Sequence, residues 1–136
     1  MKKDIPIRKV EHLAMAVAPR NSYEDDNDLF WDVFIINTRN EPINDVIVNS
    51  RGYGEREGED IKTSQFRFYF PEIKAKSALP VEQIKIEMFD LTSEYWVSFS
   101  FDGYMYDKKY IFVKGSLNRE YLTNIPYIGK KGVMIR

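Results

Sequence analysis

Side chains that commonly carry catalysis are scarce in this sequence. His12 is the single histidine, and the chain contains no cysteine. Acid–base or triad chemistry through an imidazole would therefore depend on His12 alone, and thiolate chemistry, disulfides and cysteine-bound zinc are excluded. No nucleophile and orienting group can be placed beside His12, which follows Glu11 in a segment with strand-like alternation. We predict that the protein is not an enzyme and has no catalytic residue.

The acidic segment at residues 24–28 carries the oxygen ligands that calcium prefers. An EF-hand loop needs glycine at its sixth position and a bidentate glutamate at its twelfth. Counted from Asp25, those two positions hold Phe30 and Ile36. We therefore predict a solvated turn before a buried strand and no bound metal. Calcium binding by a less regular loop is the alternative.

The glycines at positions 52, 54 and 58 come within one residue of the Gly-x-Gly-x-x-Gly fingerprint of dinucleotide-binding folds. The third glycine is displaced, and residues 55, 57, 59 and 60 are acidic where a pyrophosphate requires bare backbone amides. The segment is therefore predicted to be a mobile hairpin loop, and no cofactor is expected.

The net charge of −1 is unevenly distributed along the chain. Residues 1–19 sum to +2, residues 20–60 to −7 and residues 108–136 to +6. A nucleic-acid-binding domain usually carries a basic stripe on a basic domain, so we predict no nucleic-acid partner. Scattered solubilising charge is the preferred interpretation of the basic termini, and their convergence into an anion-binding site is the alternative.

Aromatic residues make up 15% of the chain, more than one small core must hold. Strand alternation places Trp96 on the outward side with Ser98 and Ser100. The strand at residues 29–37 has apolar residues on both of its sides, so part of it lies off the core side. The predicted interaction surface consists of Phe30, Phe34, Ile36, Tyr53, Trp96, Tyr104 and Tyr106.

Length and composition indicate one globular domain spanning residues 1–136. Apolar residues make up 43% and charged residues 30% of the chain, close to the globular average. No stretch approaches membrane-spanning length, and the apolar run at residues 13–18 is too short for a secretory signal. We predict a cytoplasmic protein with no membrane contact, which agrees with the absence of cysteine.

Short runs of alternating hydrophobicity, separated by turn signals, predict an all-β fold. Asp102-Gly103 is the strongest hairpin signal in the sequence. A two-residue loop would set Tyr104 opposite Phe101 and Tyr106 opposite Phe99. The alternative is a bulge near residues 107–108 that shifts the register. A short helix is predicted over residues 116–122. The predicted strands lie at residues 10–17, 29–37, 45–53, 66–70 (ended by Pro71), 83–88, 95–101, 104–113 and, as an eighth, 133–135.

Seven or eight short antiparallel strands with regularly placed turns are typical of an immunoglobulin-like or fibronectin type III sandwich. The segments at residues 35–43 (Ile-Ile-Asn-Thr-Arg-Asn-Glu-Pro-Ile) and 129–133 (Gly-Lys-Lys-Gly-Val) resemble a family of small bacterial β-sandwich proteins of unknown function. The resemblance implies the sandwich fold and assigns no site.

Together these observations predict a non-enzymatic protein-interaction or assembly module. It would bind a protein partner or a second copy of itself through a partly apolar outer sheet face. The alternative is a sandwich that binds a carbohydrate or small ligand, with Tyr53, Tyr104 and Tyr106 as the aromatic platform. An enzyme that joins His12 to distant carboxylates is the third hypothesis.

Overall fold

A computed structural model describes residues 9–20 and 29–136 of the chain. In these two ranges every regular element is a β-strand or a single 3₁₀ turn. The 3₁₀ turns cover Ile86–Met88 and Arg119–Tyr121. The strands are β1 (Leu13–Pro19), β2 (Phe30–Asn37), β3 (Ile43–Arg56), β4 (Glu59–Lys62), β5 (Phe66–Ile73), β6 (Ser77–Lys85), β7 (Thr92–Phe101), β8 (Tyr104–Phe112), β9 (Thr123–Asn124) and β10 (Lys131–Ile135).

The strands form two antiparallel sheets that pack together as two layers. The first sheet has the order β6-β2-β1-β10-β9. In the second sheet β3 is central. One edge of β3 pairs with β7, and β8 follows β7. The other edge of β3 pairs first with β5 and then, further along the strand, with β4. The all-β, two-layer prediction is therefore confirmed. The two strands beyond the predicted eight are the short β4 and β9, which sequence patterns assign to loops.

The core lies between the layers and is built by period-two alternation. The first sheet contributes Leu13, Met15 and Val17 of β1 on its inward side. Tyr110 of β8 is fully buried, and its hydroxyl donates a hydrogen bond of 3.0 Å to the Leu13 carbonyl in the facing sheet. The large, fully buried side chains of the second sheet that complete this core include Val46, Val48, Val97, Phe99 and Phe112.

The predicted hairpins are present. Asp102 and Gly103 have φ values of 50° and 75°, and they set Phe101 opposite Tyr104 and Phe99 opposite Tyr106. Positive φ at both central positions is what a type I′ turn requires. The β7–β8 register continues past residues 107–108, so the alternative of a bulge at that point is not realised. The glycine-rich segment is also a hairpin, in which β3 turns into β4 through residues 57 and 58.

The predicted ends of two strands, at Pro71 and at residue 88, are wrong, each for a local reason. β5 continues through Pro71 to Ile73, because among the described strands β5 pairs only with β3, and an edge strand tolerates a missing amide. The strand expected at residues 83–88 instead spans Ser77–Lys85. It ends there because its partner β2 begins at Phe30, opposite Lys85, and the following residues form the 3₁₀ turn.

The helix expected at residues 116–122 is only the 3₁₀ turn Arg119–Tyr121. Asn118 caps it, since its side-chain oxygen accepts from the Glu120 amide at 3.1 Å. The Ser116 hydroxyl instead donates to the Val113 carbonyl at 2.7 Å, which closes the preceding turn. The apolar triplet at residues 133–135 does form a strand, since β10 pairs with β1.

Within residues 9–20 and 29–136 the structure has no helix with the length and apolar character needed to cross a membrane.

Candidate functional site

The outward side of the second sheet brings polar and aromatic side chains from four strands together. Strand register aligns Arg67 of β5 with Asn49 of β3, Asn49 with Trp96 of β7, and Trp96 with Lys109 of β8. The neighbouring pair across β3 and β7 is Arg51 and Glu94. We call this surface the Trp96 face and define it by Asn49, Arg51, Arg67, Glu94, Trp96, Asp107 and Lys109.

Trp96 is the central aromatic residue of this face. Its side chain is 45% exposed, although it lies in the middle of a paired strand. The indole nitrogen donates a hydrogen bond to the Asp107 carboxylate, and the Lys109 ammonium lies 4.7 Å from the ring centroid. Contacts of both kinds hold the ring in one orientation, so Trp96 is presented to solvent as a fixed surface.

The charges on the Trp96 face are partly neutralised by one another. Arg51 Nε lies 2.7 Å from Glu94 Oε2, and Lys109 Nζ lies 3.8 Å from Glu94 Oε1. The hydrogen bond to Glu94 is the main cause that raises the pKa of Arg51. Arg67 differs, because its guanidinium donates only to the neutral Asn49 amide oxygen, at 3.1 Å. In the described part of the chain no carboxylate lies within ion-pair distance of Arg67.

A shallow depression of about 280 Å³ lies beside Trp96. Guanidinium, amide and carboxylate groups surround it next to one indole ring, so it offers planar hydrogen-bonding groups together with an aromatic face. Its lining residues are Asn49, Ser50, Arg51, Gln65, Arg67, Glu94 and Trp96. Such a depression is suited to binding and contains no arrangement of nucleophile, base and orienting group.

Of the residues predicted for the interaction surface, Trp96 and Tyr53 lie on the outward side of the second sheet. Tyr53 is half-buried, and the Arg51 guanidinium lies 5.3 Å from its ring centroid. Phe30 and Phe34 belong to the first sheet and are half-buried. Arg20 lies 5.5 Å from the Phe30 ring, so this ring is partly covered by a neighbouring cation.

Ile36 is not a surface residue, and its prediction is wrong. It points away from the core between the sheets, as expected, but its side chain is 0% exposed. Ala14 and Ala16 of β1 form a second apolar cluster with Ile36, and Ile125 from the segment after β9 covers them. Phe34, Ala78, Ile128 and Met134 pack around this cluster. The chain therefore seals with its own residues the face that was expected to bind a partner.

The predicted tyrosine platform does not assemble. Tyr106 is only 7% exposed and stacks on Phe99, with ring centroids 4.9 Å apart. Tyr104 is half-buried and also packs against the core, whereas Tyr53 lies on the outward side of β3. The two-residue hairpin itself explains this outcome, because it pairs Tyr104 and Tyr106 with Phe101 and Phe99, which face the core.

The polar residues of the Trp96 face were missed at the sequence level. Period-two alternation gives the outward side of each strand, but only the register of β3 against β7 places Arg51 beside Glu94. That register spans about forty residues of chain and has no local signal. Trp96 was identified because Val97 and Phe99 fix the inward side of its own strand.

Among the described residues, His12 belongs to no second site. His12 is exposed, has a φ of 60°, and its carbonyl accepts hydrogen bonds from the Thr38 amide and hydroxyl at 3.0 Å. It is therefore a turn residue. The segment at residues 24–28 lies outside the described residues. Over the residues that are described, no group of three metal-ligating side chains is close enough to hold an ion.

No protein-family model matches the chain, and no curated protein matches it in sequence.

Proposed function

We propose that this chain is a non-enzymatic interaction module that binds an acidic segment of a protein partner on the Trp96 face. The observation that supports it best is the half-exposed Trp96 ring, which contacts Asp107 and Lys109 among charged side chains. Tryptophan and arginine are enriched among the residues that dominate binding energy. A ring that is already ordered loses little side-chain entropy when a partner covers it.

The charge arrangement favours an acidic partner segment. Arg67 and Lys109 lie in the same cross-strand row as Trp96, on its two sides. Glu94 already neutralises Arg51 and lies 3.8 Å from Lys109, whereas Arg67 bonds only an amide. A partner that seats an apolar residue on Trp96 and a carboxylate against Arg67 would gain a charge-assisted hydrogen bond. Arginine recognises carboxylates well because its planar guanidinium can bond both oxygens.

Carbohydrate binding is the second candidate function, and the depression beside Trp96 favours it. Its lining combines one indole ring with planar polar side chains, which is the chemistry that a sugar ring and its hydroxyls require. The site would then be Trp96 and not the tyrosines 53, 104 and 106. The immunoglobulin-like subtype, the cytoplasmic location and self-association stay predictions, and the burial of Ile36 removes one motive for self-association.

Selection from two displayed peptide pools tests the proposal. One pool combines Asp and Glu with Phe and Leu, and the other combines Lys and Arg with the same apolar residues. We expect the wild-type protein to enrich the acidic pool. Trp96→Ala should weaken binding of a selected peptide by roughly tenfold or more, as loss of an interface hot spot does, and Arg67→Gln by less. Peptide titrations followed by fluorescence anisotropy measure both effects.

Tyr121→Ala is the matched control, because Tyr121 is an exposed aromatic residue on the 3₁₀ turn after β8 and away from the Trp96 face. It should leave peptide binding unchanged. Equal enrichment of the two pools, or full binding by Trp96→Ala, would contradict the proposal. Binding of the protein to a glycan array that depends on Trp96, without peptide binding, would favour the carbohydrate alternative.

A further inference from the structure

A cleft of about 310 Å³ opens between the two sheets, on the side away from β8. It lies where β4 and β5 leave a gap along β3. The ladder with β5 ends at Ser50, and the ladder with β4 begins at Tyr53. Gly52 between them bonds to Thr63, which belongs to neither strand. β6 of the first sheet faces this gap and forms the opposite wall of the cleft.

Glu82 of β6 points into this cleft, next to a β-bulge at Val81. Phe34 pairs with Pro80 and Val33 pairs with Glu82, so Val81 is an extra residue in the ladder. Val81 is buried on the inward side, and Glu82 also points inward although it follows directly. Bulges commonly re-aim a side chain in this way, and proline is tolerated there because β6 is an edge strand.

The carboxylate of Glu82 reaches across to the second sheet. The Tyr95 hydroxyl donates to Glu82 Oε1 at 2.9 Å, and the Ser50 hydroxyl donates to Oε2 at 3.1 Å. Ser50 and Tyr95 are paired neighbours on β3 and β7, and both are buried. Each oxygen of the carboxylate therefore has one fixed donor and retains further acceptor capacity toward the cleft.

Among the described residues Glu82 has no cationic partner, unlike three other carboxylates of the fold. Asp32, Asp90 and Glu94 each lie within 4 Å of an arginine nitrogen. For Glu82 the described residues place no basic nitrogen within that distance. Burial raises the pKa of the Glu82 carboxyl, and the hydrogen bonds from Tyr95 and Ser50 offset this increase only in part. A partly buried carboxylate without a counter-charge is energetically unfavourable.

Four apolar side chains line the cleft together with its polar residues. Ile84 and Leu91 are buried, Met88 is half-buried, and Phe66 is exposed near the gap between β4 and β5. The volume equals that of about ten water molecules, enough for a ligand with a short hydrocarbon chain. A ligand in this cleft can therefore contact both hydrocarbon and the Glu82 carboxylate.

We propose that the cleft binds an organic cation, with a primary ammonium group on Glu82 and a short alkyl chain between Leu91, Met88 and Phe66. A free alkylamine and a lysine side chain of another protein share this chemistry. Two of the three ammonium hydrogens can bond the remaining acceptor positions of Glu82, and the cation supplies a counter-charge that no described residue places within ion-pair distance. This site is separate from the Trp96 face and does not depend on its function.

The proposal predicts a pH dependence. Binding requires the ionised carboxylate, so affinity should fall as the pH falls through the raised pKa of Glu82. The other charged or titratable groups that line the cleft are Arg51 of β3, Lys85 of β6, Glu87 of the 3₁₀ turn and Tyr95 of β7. Arg51 is engaged by Glu94 at 2.7 Å, and burial keeps the pKa of Tyr95 well above its ordinary value, so neither titrates in this range.

An NMR titration of the full chain with n-pentylamine, which is protonated at about pH 7.5, tests the proposal. We expect shifts of the amides of Gly52, Thr63 and Ser93, which line the cleft. n-Pentanol has the same alkyl chain without the charge, and sodium chloride matches the ionic strength. Glu82→Gln keeps the size but removes the charge and replaces one acceptor oxygen by an NH₂ donor, and it should weaken amine binding by about tenfold or more because a charge-assisted bond is lost.

Glu87→Gln is the matched control, since Glu87 is an exposed carboxylate that lines the same cleft. It should change amine binding by less than about twofold, because exposed charges interact weakly. Equal shifts with n-pentanol, undiminished binding in Glu82→Gln, or no shifts with n-pentylamine would overturn the proposal. A parallel titration with Nα-acetyl-lysine methylamide assigns the source. If it binds, the site accepts a lysine side chain, and if only n-pentylamine binds, the site accepts a free amine.

Discussion

The outward sides of the two sheets differ in how far other segments of the chain cover them. On the first sheet, Ala14, Ala16 and Ile36 form an apolar floor that Ile125 covers. On the second sheet, Trp96 lies 45% exposed among charged side chains, and none of the described segments covers it. An apolar residue on the outward side of a strand therefore does not by itself mark a binding surface. Such a residue is available for binding only if no other segment of the chain lies over it.

Small residues make the covering of the first sheet possible. The alanines of β1 leave a shallow floor, and Gly132 of β10 lies beside it. A Cβ at Gly132 would come within 2.8 Å of the Val17 carbonyl oxygen and 3.2 Å of Ile125. The outward side of the second sheet carries larger, hydrogen-bonded polar side chains. These side chains are stable in contact with water, and their size prevents another segment from packing so closely. The difference between the faces is thus set by side-chain size as well as by polarity.

The largest expected effect comes from truncating the sealed face. Ile36→Ala should lower the free energy of unfolding by roughly 2–5 kcal/mol, because it leaves a cavity in a fully buried cluster. Urea denaturation followed by circular dichroism measures the change. Ile111→Ala is the control on the outward side of the second sheet, where Ile111 is 38% exposed, and it should cost less than about 1 kcal/mol. Equal costs for the two variants would remove the contrast between the faces.

A smaller effect is expected from removing the cover. Ile125→Ala should cost about 2 kcal/mol, near the low end for such a truncation, because the covering segment can settle toward the floor. It should also increase the binding of a hydrophobic dye at low denaturant, since Ala14, Ala16 and Ile36 become accessible. An unchanged dye signal together with unchanged stability would mean that Ile125 does not seal this face in solution.

The smallest effect on stability is expected at the open face. Trp96→Ala should cost about 1 kcal/mol, the loss of one hydrogen bond and one exposed cation–π contact. The remaining tryptophan, Trp31, is buried, so the fluorescence maximum of the variant should move to shorter wavelength. A cost above about 3 kcal/mol would show that Trp96 belongs to the fold and not to a binding surface.

Sequence patterns predict those features that depend on neighbouring residues. Asp102-Gly103 carries the backbone requirement of its turn within two residues, and the alternation of Val97 and Phe99 is enough to place Trp96 outward. Features that depend on distant segments could not be predicted. The cover over Ile36 comes from a segment about ninety residues later in the chain, and the pairing of Arg51 with Glu94 depends on the β3–β7 register.

The Glu82 cleft was missed for a different reason. Simple alternation back from Ile84 places Glu82 inward and Val81 outward, whereas the structure has both on the inward side. The bulge changes the phase of the strand within one residue, and nothing in a period-two pattern signals it except Pro80. The strand predicted at residues 83–88 begins after Glu82, and the hydrogen bonds of Glu82 to Ser50 and Tyr95 depend on how the two sheets pack.

The insertion of β10 between β1 and β9 has a consequence for how the chain matures during translation. Residue 135 must leave the ribosome before β1, made more than a hundred residues earlier, can gain its second neighbour. Until then Ala14, Ala16 and Ile36 have been synthesised but are not yet covered. The ribosome needs several seconds to synthesise each stretch of about fifty residues. The nascent chain therefore exposes an apolar patch until Ile125 and β10 have been synthesised.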